Sequence, residues 1–280
     1  MPLILIMYII YIGYDFYIQK HSDANGRTSF NDYKKSHLNV NFDSLILGGS
    51  NAAFSLSASR LGENWFNLAI SSEGFTDDNY WLYIKEAVQK PERIKSVVYS
   101  SVNPLREGAI ASRYELEGVD LQGRSQTISY QPNVSLIKFI MGKNKQVLTY
   151  PKPKENGDFS LEMAKCRETE NMDLSFSREK EISVLKEWIN NQYLTMKEIF
   201  PNANVYFTIP SEFYSKYHSG DDDLFKRKVT DLFLSIKEDE DELIFQDNFP
   251  SEDYLCDERH HANKKGREWR TENLVKHMNQ

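Results

Sequence analysis

Cysteine is scarce in this 280-residue chain: Cys166 and Cys256 are the only two, far apart and without metal-ligand spacing. They exclude a cysteine-built metal centre and leave either one disulfide or two buried thiols, the second being the preferred reading. Basic charge is lacking too. The formal net charge is -7 and the pI is about 5.5, with no basic stripe, so a nucleic-acid footprint is excluded. No internal repeat is present. The acidic run from Glu238 to Glu242 lacks the ligand pattern of an EF-hand and reads as a solvated loop. The adjacent His260 and His261 lack the helical spacing of zinc ligands. The Gly48-Gly49-Ser50 turn has neither the downstream lysine of a P-loop nor the third glycine of a dinucleotide fingerprint, which weakens a nucleotide-phosphate reading. No metal and no cofactor is expected.

Hydrophobic residues make up 40% of the chain, ample for one sizeable α/β domain, and the 16 Tyr and 16 Phe read as core and rim packing. Residues 1–18 are nearly all apolar, broken by Asp15. They are read as an uncleaved membrane anchor, because no small-residue cleavage site follows; a signal-peptide segment and a buried strand are the alternatives. No Lys or Arg precedes them, so the charge rule says little about orientation. An anchor puts the rest of the chain on the extracytoplasmic side, in the cell envelope. Residues 19–41 are polar and mixed, as in a linker, and 42–280 form the domain.

Within that domain short apolar runs alternate with helical periodicity. Strands are predicted at 44–47, 64–74, 95–101, 204–210 and 243–247, and helices at 51–60, 80–89, 177–200, 222–236 and from about 263. In the long helix Ile182, Leu185, Ile189, Tyr193, Met196 and Ile199 fall on one face, a packing stripe. Such βαβ alternation predicts a three-layer α/β/α sandwich with a mainly parallel sheet. Residues 105–175 break the pattern and read as an insertion or cap over the carboxyl edge of the sheet.

Two blocks carry the candidate chemistry. Ser44-Leu45-Ile46-Leu47-Gly48-Gly49-Ser50 is a buried strand ending in a sharp turn, which presents Ser50 at the carboxyl end of the strand beside a helix start. A serine hydroxyl becomes nucleophilic when an imidazole takes its proton, and a carboxylate on the other ring nitrogen fixes the tautomer. Near the other end, Asp257-Glu258-Arg259-His260-His261-Ala262-Asn263 supplies both residue types. Asn263 is placed to cap the last helix.

These two blocks together resemble the SGNH (GDSL-like) hydrolase family, from about Phe42 to Leu274 by order of elements. The resemblance implies a flavodoxin-like version of the sandwich, with Ser50 as nucleophile and a late Asp-x-x-His block as acid and base. His261-Ala262-Asn263-Lys264-Lys265-Gly266 matches the family's His-x-Asn-x-x-Gly, which favours His261 with Asp257, while His260 and Glu258 remain alternates. For the oxyanion the resemblance implies the Ser50 N-H, a second-block donor falling on Ser72 or Gly74, and the side chain of Asn103 after the third strand. Members with an N-terminal anchor look like proteins that acylate cell-envelope or exported polysaccharides. The implied activity is a serine esterase or O-acyl (acetyl) transferase, with an acylated glycan or an acyl-donor protein as partner. The alternative is a non-catalytic envelope assembly protein of the same fold.

Overall fold

The computed structural model describes Tyr8, Tyr11, Gly13 and residues 33–70, 77–101, 153–159, 178–209, 222–256 and 262–279. Five strands form one sheet: β1 (Ser44–Gly48), β2 (Trp65–Asn67), β3 (Ser96–Ser100), β4 (Asn204–Ile209) and β5 (Glu242–Phe245). Every pairing is parallel and the order is β2-β1-β3-β4-β5, the flavodoxin-like order, in which the chain switches direction between β1 and β3.

Alternation along the strands sets the layers. Leu45 and Leu47 of β1, Val97 and Tyr99 of β3, and Val205, Phe207 and Ile209 of β4 face one core. Over it lie α3 (Asp77–Ala87), α4 (Arg178–Ile199) and α5 (Asp222–Leu234), through Trp81, Ile84, Ile189, Tyr193, Met196 and Phe233. Ile46, Val98 and Ile244 face the other side, against α1 (Ser50–Ser55), α2 (Ala58–Leu61) and α6 (Lys264–Met278). On that side the contacts are Ala52, Ala53, Ala58 and Leu274. Small side chains let the helix axis approach the sheet closely. The expected three-layer sandwich is the observed fold.

The helix expected over 51–60 is two helices. Leu56 and Ser57 are extended between α1 and α2, and the break is set from a distant part of the chain. Asp158 accepts hydrogen bonds from Ala58 N at 2.7 Å, Ser59 N at 3.2 Å and Ser57 Oγ at 2.9 Å. A carboxylate there satisfies the orphan N-H groups of a helix start and suits its dipole.

Residues 153–159 are the described part of the expected insertion, and they lie against β2, the edge strand. Asn67 N donates to Asn156 O at 2.8 Å. Gly157 turns here at φ +77°, where a Cβ would stand 2.3 Å from Asn67 O, so only glycine lets the two backbones approach so closely. One of the edge N-H groups of β2, that of Asn67, is thereby satisfied.

From Tyr33 onward the expected linker packs on the domain. Lys34 is fully buried; its Nζ donates to Ala69 O at 2.6 Å and Asn67 Oδ1 at 3.3 Å. Burial lowers the pKa of Lys34 to about 7, with Asp158 opposing the shift and Arg267 adding to it. Arg267, on α6, donates through Nη1 to Phe159 O at 2.6 Å and through Nε to Phe54 O at 2.9 Å. Lys34, Asp158 and Arg267 therefore join the N-terminal segment, the 153–159 segment and the last helix around β2.

Two further expectations are corrected. Cys256 is disulfide-bonded, not a buried thiol; the other cysteine, Cys166, lies outside the described residues. Distance along a sequence carries no information about approach in the folded chain, which is why spacing misled. In the acidic run, Asp241 is buried. It accepts from Val205 N at 2.7 Å and Tyr193 Oη at 2.6 Å, tying the turn before β5 to β4 and α4. Among the described residues no helix is long and apolar enough to cross a membrane; the expected anchor lies outside them except for Tyr8, Tyr11 and Gly13.

Candidate functional site

Ser50 is the first residue of α1 and is half-buried. It follows β1 directly, at the point where strand order reverses and a crevice opens between the carboxyl ends of β1 and β3. The turn that delivers it leaves little freedom. Gly48 sits at φ +125°, and a Cβ there would fall 1.8 Å from Ser100 O. Gly48 N donates to Tyr80 Oη at 2.6 Å and Gly49 N donates to Ser100 O at 3.2 Å. Burial keeps the Tyr80 phenol protonated by raising its pKa.

Ala53 N is the first amide of α1 with an intrahelical acceptor, Gly49 O at 3.0 Å. The N-H groups of Ser50, Asn51 and Ala52 precede it and take no acceptor within the helix. Their dipoles favour negative charge next to Ser50 Oγ. Among the described residues nothing is hydrogen-bonded to the Ser50 hydroxyl.

Asn51 is buried and donates through Nδ2 to Ser100 Oγ at 2.8 Å. Gln246 Nε2 donates to the same Ser100 Oγ at 3.3 Å and to Thr208 Oγ1 at 2.9 Å. Thr208 Oγ1 donates to Tyr99 O at 2.9 Å. A polar row thus crosses the carboxyl ends of β3 and β4 beneath Ser50. The sequence reading missed it, although the signal was there: Ser100 and Thr208 are polar residues near the ends of apolar strands, and Gln246 directly follows β5.

Of the predicted site residues, Ser50 alone is described. Ser72, Gly74, Asn103, Asp257, Glu258, His260 and His261 lie outside the described residues. The two ends of the 257–261 stretch are nevertheless fixed. Leu255 and Ala262 form an antiparallel bridge, and Cys256 is held in its disulfide. Ala262 N donates to Ser55 Oγ at 3.3 Å. Asn263 caps α6, as expected, by accepting from Gly266 N at 3.0 Å, and its Nδ2 donates to Asp253 O at 2.7 Å and Leu255 O at 3.1 Å.

Ala262, directly after the 257–261 stretch, therefore meets the last residue of the helix whose first residue is Ser50. Five helical steps of about 1.5 Å separate those two positions, roughly 8 Å. Among the described residues no cluster of His, Cys, Asp and Glu has the makings of a metal site. What the described geometry offers chemically is a hydroxyl at a strand-to-helix turn, beside amide N-H groups that take no acceptor within their helix. Compared with known proteins, the chain matches no protein-family model, no curated protein and no solved structure.

Proposed function

We propose that this chain is a serine-dependent acyl-ester hydrolase or O-acyl transferase that acts on a cell-envelope or exported polysaccharide. One observation carries the reading: Ala262 N donates to Ser55 Oγ, so the residue that directly follows His261 in the chain lies against the helix that begins with Ser50. Ser50 Oγ attacks the ester carbonyl, and His261, or His260 in the alternate register, takes the hydroxyl proton. The alcohol then leaves with that proton, and an acyl group remains on Ser50. Water or a sugar hydroxyl attacks the acyl carbon, its proton passes through the same imidazole, and Ser50 is regenerated. Asp257 or Glu258 orients the ring. The Ser50 N-H, with Asn103 and Ser72 or Gly74, holds the oxyanion.

The position of Ser50 at the switch point supports this reading, since that is where open α/β sheets bind ligands. The Cys256 disulfide supports an extracytoplasmic location, because such bonds persist in oxidising compartments. Anchoring through residues 1–18 belongs to the same proposal. The test is hydrolysis of p-nitrophenyl acetate by the full chain. Turnover that Ser50→Ala abolishes in a folded protein is the expected result. Equal rates for both proteins overturn the reading.

A further inference from the structure

Asn51, Ser100, Thr208 and Gln246 are all buried, at a place where an apolar core would cost less than polar side chains. Burying an amide or hydroxyl is unfavourable unless its hydrogen bonds are made. These are largely made, and to one another. Ser100 is the centre: its carbonyl accepts from Gly49 N and its hydroxyl accepts from Asn51 Nδ2 and Gln246 Nε2. A single residue at the end of β3 therefore grips the turn on both sides of Ser50, through Gly49 before it and Asn51 after it. Asn51 Oδ1 is buried with no hydrogen-bond partner among the described residues. Such a group is tolerated where a side chain is held for a reason other than stability.

From this geometry we infer that Asn51 is the positioning residue for Ser50, a role that rests on the acyl-transfer reading above. Its amide is locked to Ser100, and that lock fixes the first turn of α1 and hence the direction in which the adjacent hydroxyl projects. Asn51 does not touch the substrate. It acts through the backbone it shares with Ser50, so its loss slows acylation without weakening ester binding.

The test compares wild type, Asn51→Ala, Ser100→Ala and the double variant as full chains. The readouts are the rate of Ser50 labelling by a fluorophosphonate, located by peptide mass spectrometry, and the kcat and KM for p-nitrophenyl acetate. Each single variant is expected to lose about tenfold or more in labelling rate and kcat with KM unchanged, since small misplacements of a reacting group are costly. The double variant should be no slower than the slower single, because both changes break one contact. Wild-type rates in folded Asn51→Ala overturn the inference. Should that variant not fold, Asn51→Asp replaces it: the isostere keeps the shape but makes labelling depend on the ionisation of a new carboxyl, and a wild-type pH profile overturns the inference. Absence of labelling in the wild-type chain removes the acyl-transfer reading and this role together. Labelling of wild type and Asn51→Ala alike removes only the role of Asn51.

Discussion

Ala262 N-H points at Ser55 Oγ across 3.3 Å, joining residues 207 positions apart. Ser55 is fully buried, and Ala262 is both buried and paired with Leu255. Replacing Ser55 by Ala removes an acceptor from a buried amide, which costs about 1–3 kcal/mol. A melting temperature lowered by several degrees, with esterase activity lowered further than stability alone explains, is expected. Differential scanning calorimetry and ester turnover on the same preparation check it.

At Gly48 the backbone conformation and the crowding act together. A side chain there meets Ser100 O at 1.8 Å and must adopt φ +125°. Strain alone is worth about 1–3 kcal/mol, and the overlap with backbone adds to it. Gly48→Ala should therefore destabilise the fold by at least about 3 kcal/mol in urea titration, whereas Gly49→Ala, whose Cβ meets nothing closer than 3.6 Å, should be far milder.

Lys34 gives the fold a pH dependence with a definite sign. Its ordinary pKa of 10.5 falls to about 7 on burial, beside Asp158 and Arg267. Below pH 7 both folded and unfolded chains hold the proton. Between about 7 and 10.5 only the unfolded chain holds it, so the contribution of Lys34 to stability rises with pH across that window. The slope approaches about 1.4 kcal/mol per pH unit. Urea unfolding of wild type and Lys34→Met from pH 6 to pH 9 should show wild type gaining on the variant above pH 7. Parallel curves contradict the assignment.

Reduction offers a separate handle on the late block. Cys256 adjoins the 257–261 stretch and is disulfide-bonded. Losing such a bond costs about 2–5 kcal/mol in many domains. Treatment with dithiothreitol should lower both the melting temperature and ester turnover, and Cys256→Ser should reproduce the loss without reductant. Unchanged turnover after complete reduction contradicts a role for the disulfide in holding that block.

The sheet was legible because its strands are runs such as Val97-Val98-Tyr99 and Val205-Tyr206-Phe207, bounded by polar residues and helices of clear period. Ile189, Tyr193, Met196 and Ile199 on α4 pack as their spacing requires. What stayed hidden depends on long-range partners. The break between α1 and α2 is imposed by Asp158, a hundred positions away. Lys34 lies in a polar, charged stretch, so nothing local distinguishes it from the exposed lysines, yet it is buried against Ala69 and Asn67. Of the candidate site, the turn at Ser50 and the cap at Asn263 could be read from residue types, because glycine and asparagine are chosen by backbone geometry. The polar row through Ser100 and Gln246 left only a partial signal, polar residues at strand ends, because their pairing depends on a strand order that a sequence does not state.

The central claim is that Ser50 is a nucleophile served by an imidazole from the 260–261 pair. Fluorophosphonate labelling of wild type, His260→Asn and His261→Asn tests it, with the modified residue identified by peptide mass spectrometry. The account predicts that Ser50 carries the label in wild type and that one of the two histidine changes slows labelling by about a hundredfold or more. A label elsewhere, or labelling of Ser50 that neither change slows, contradicts it.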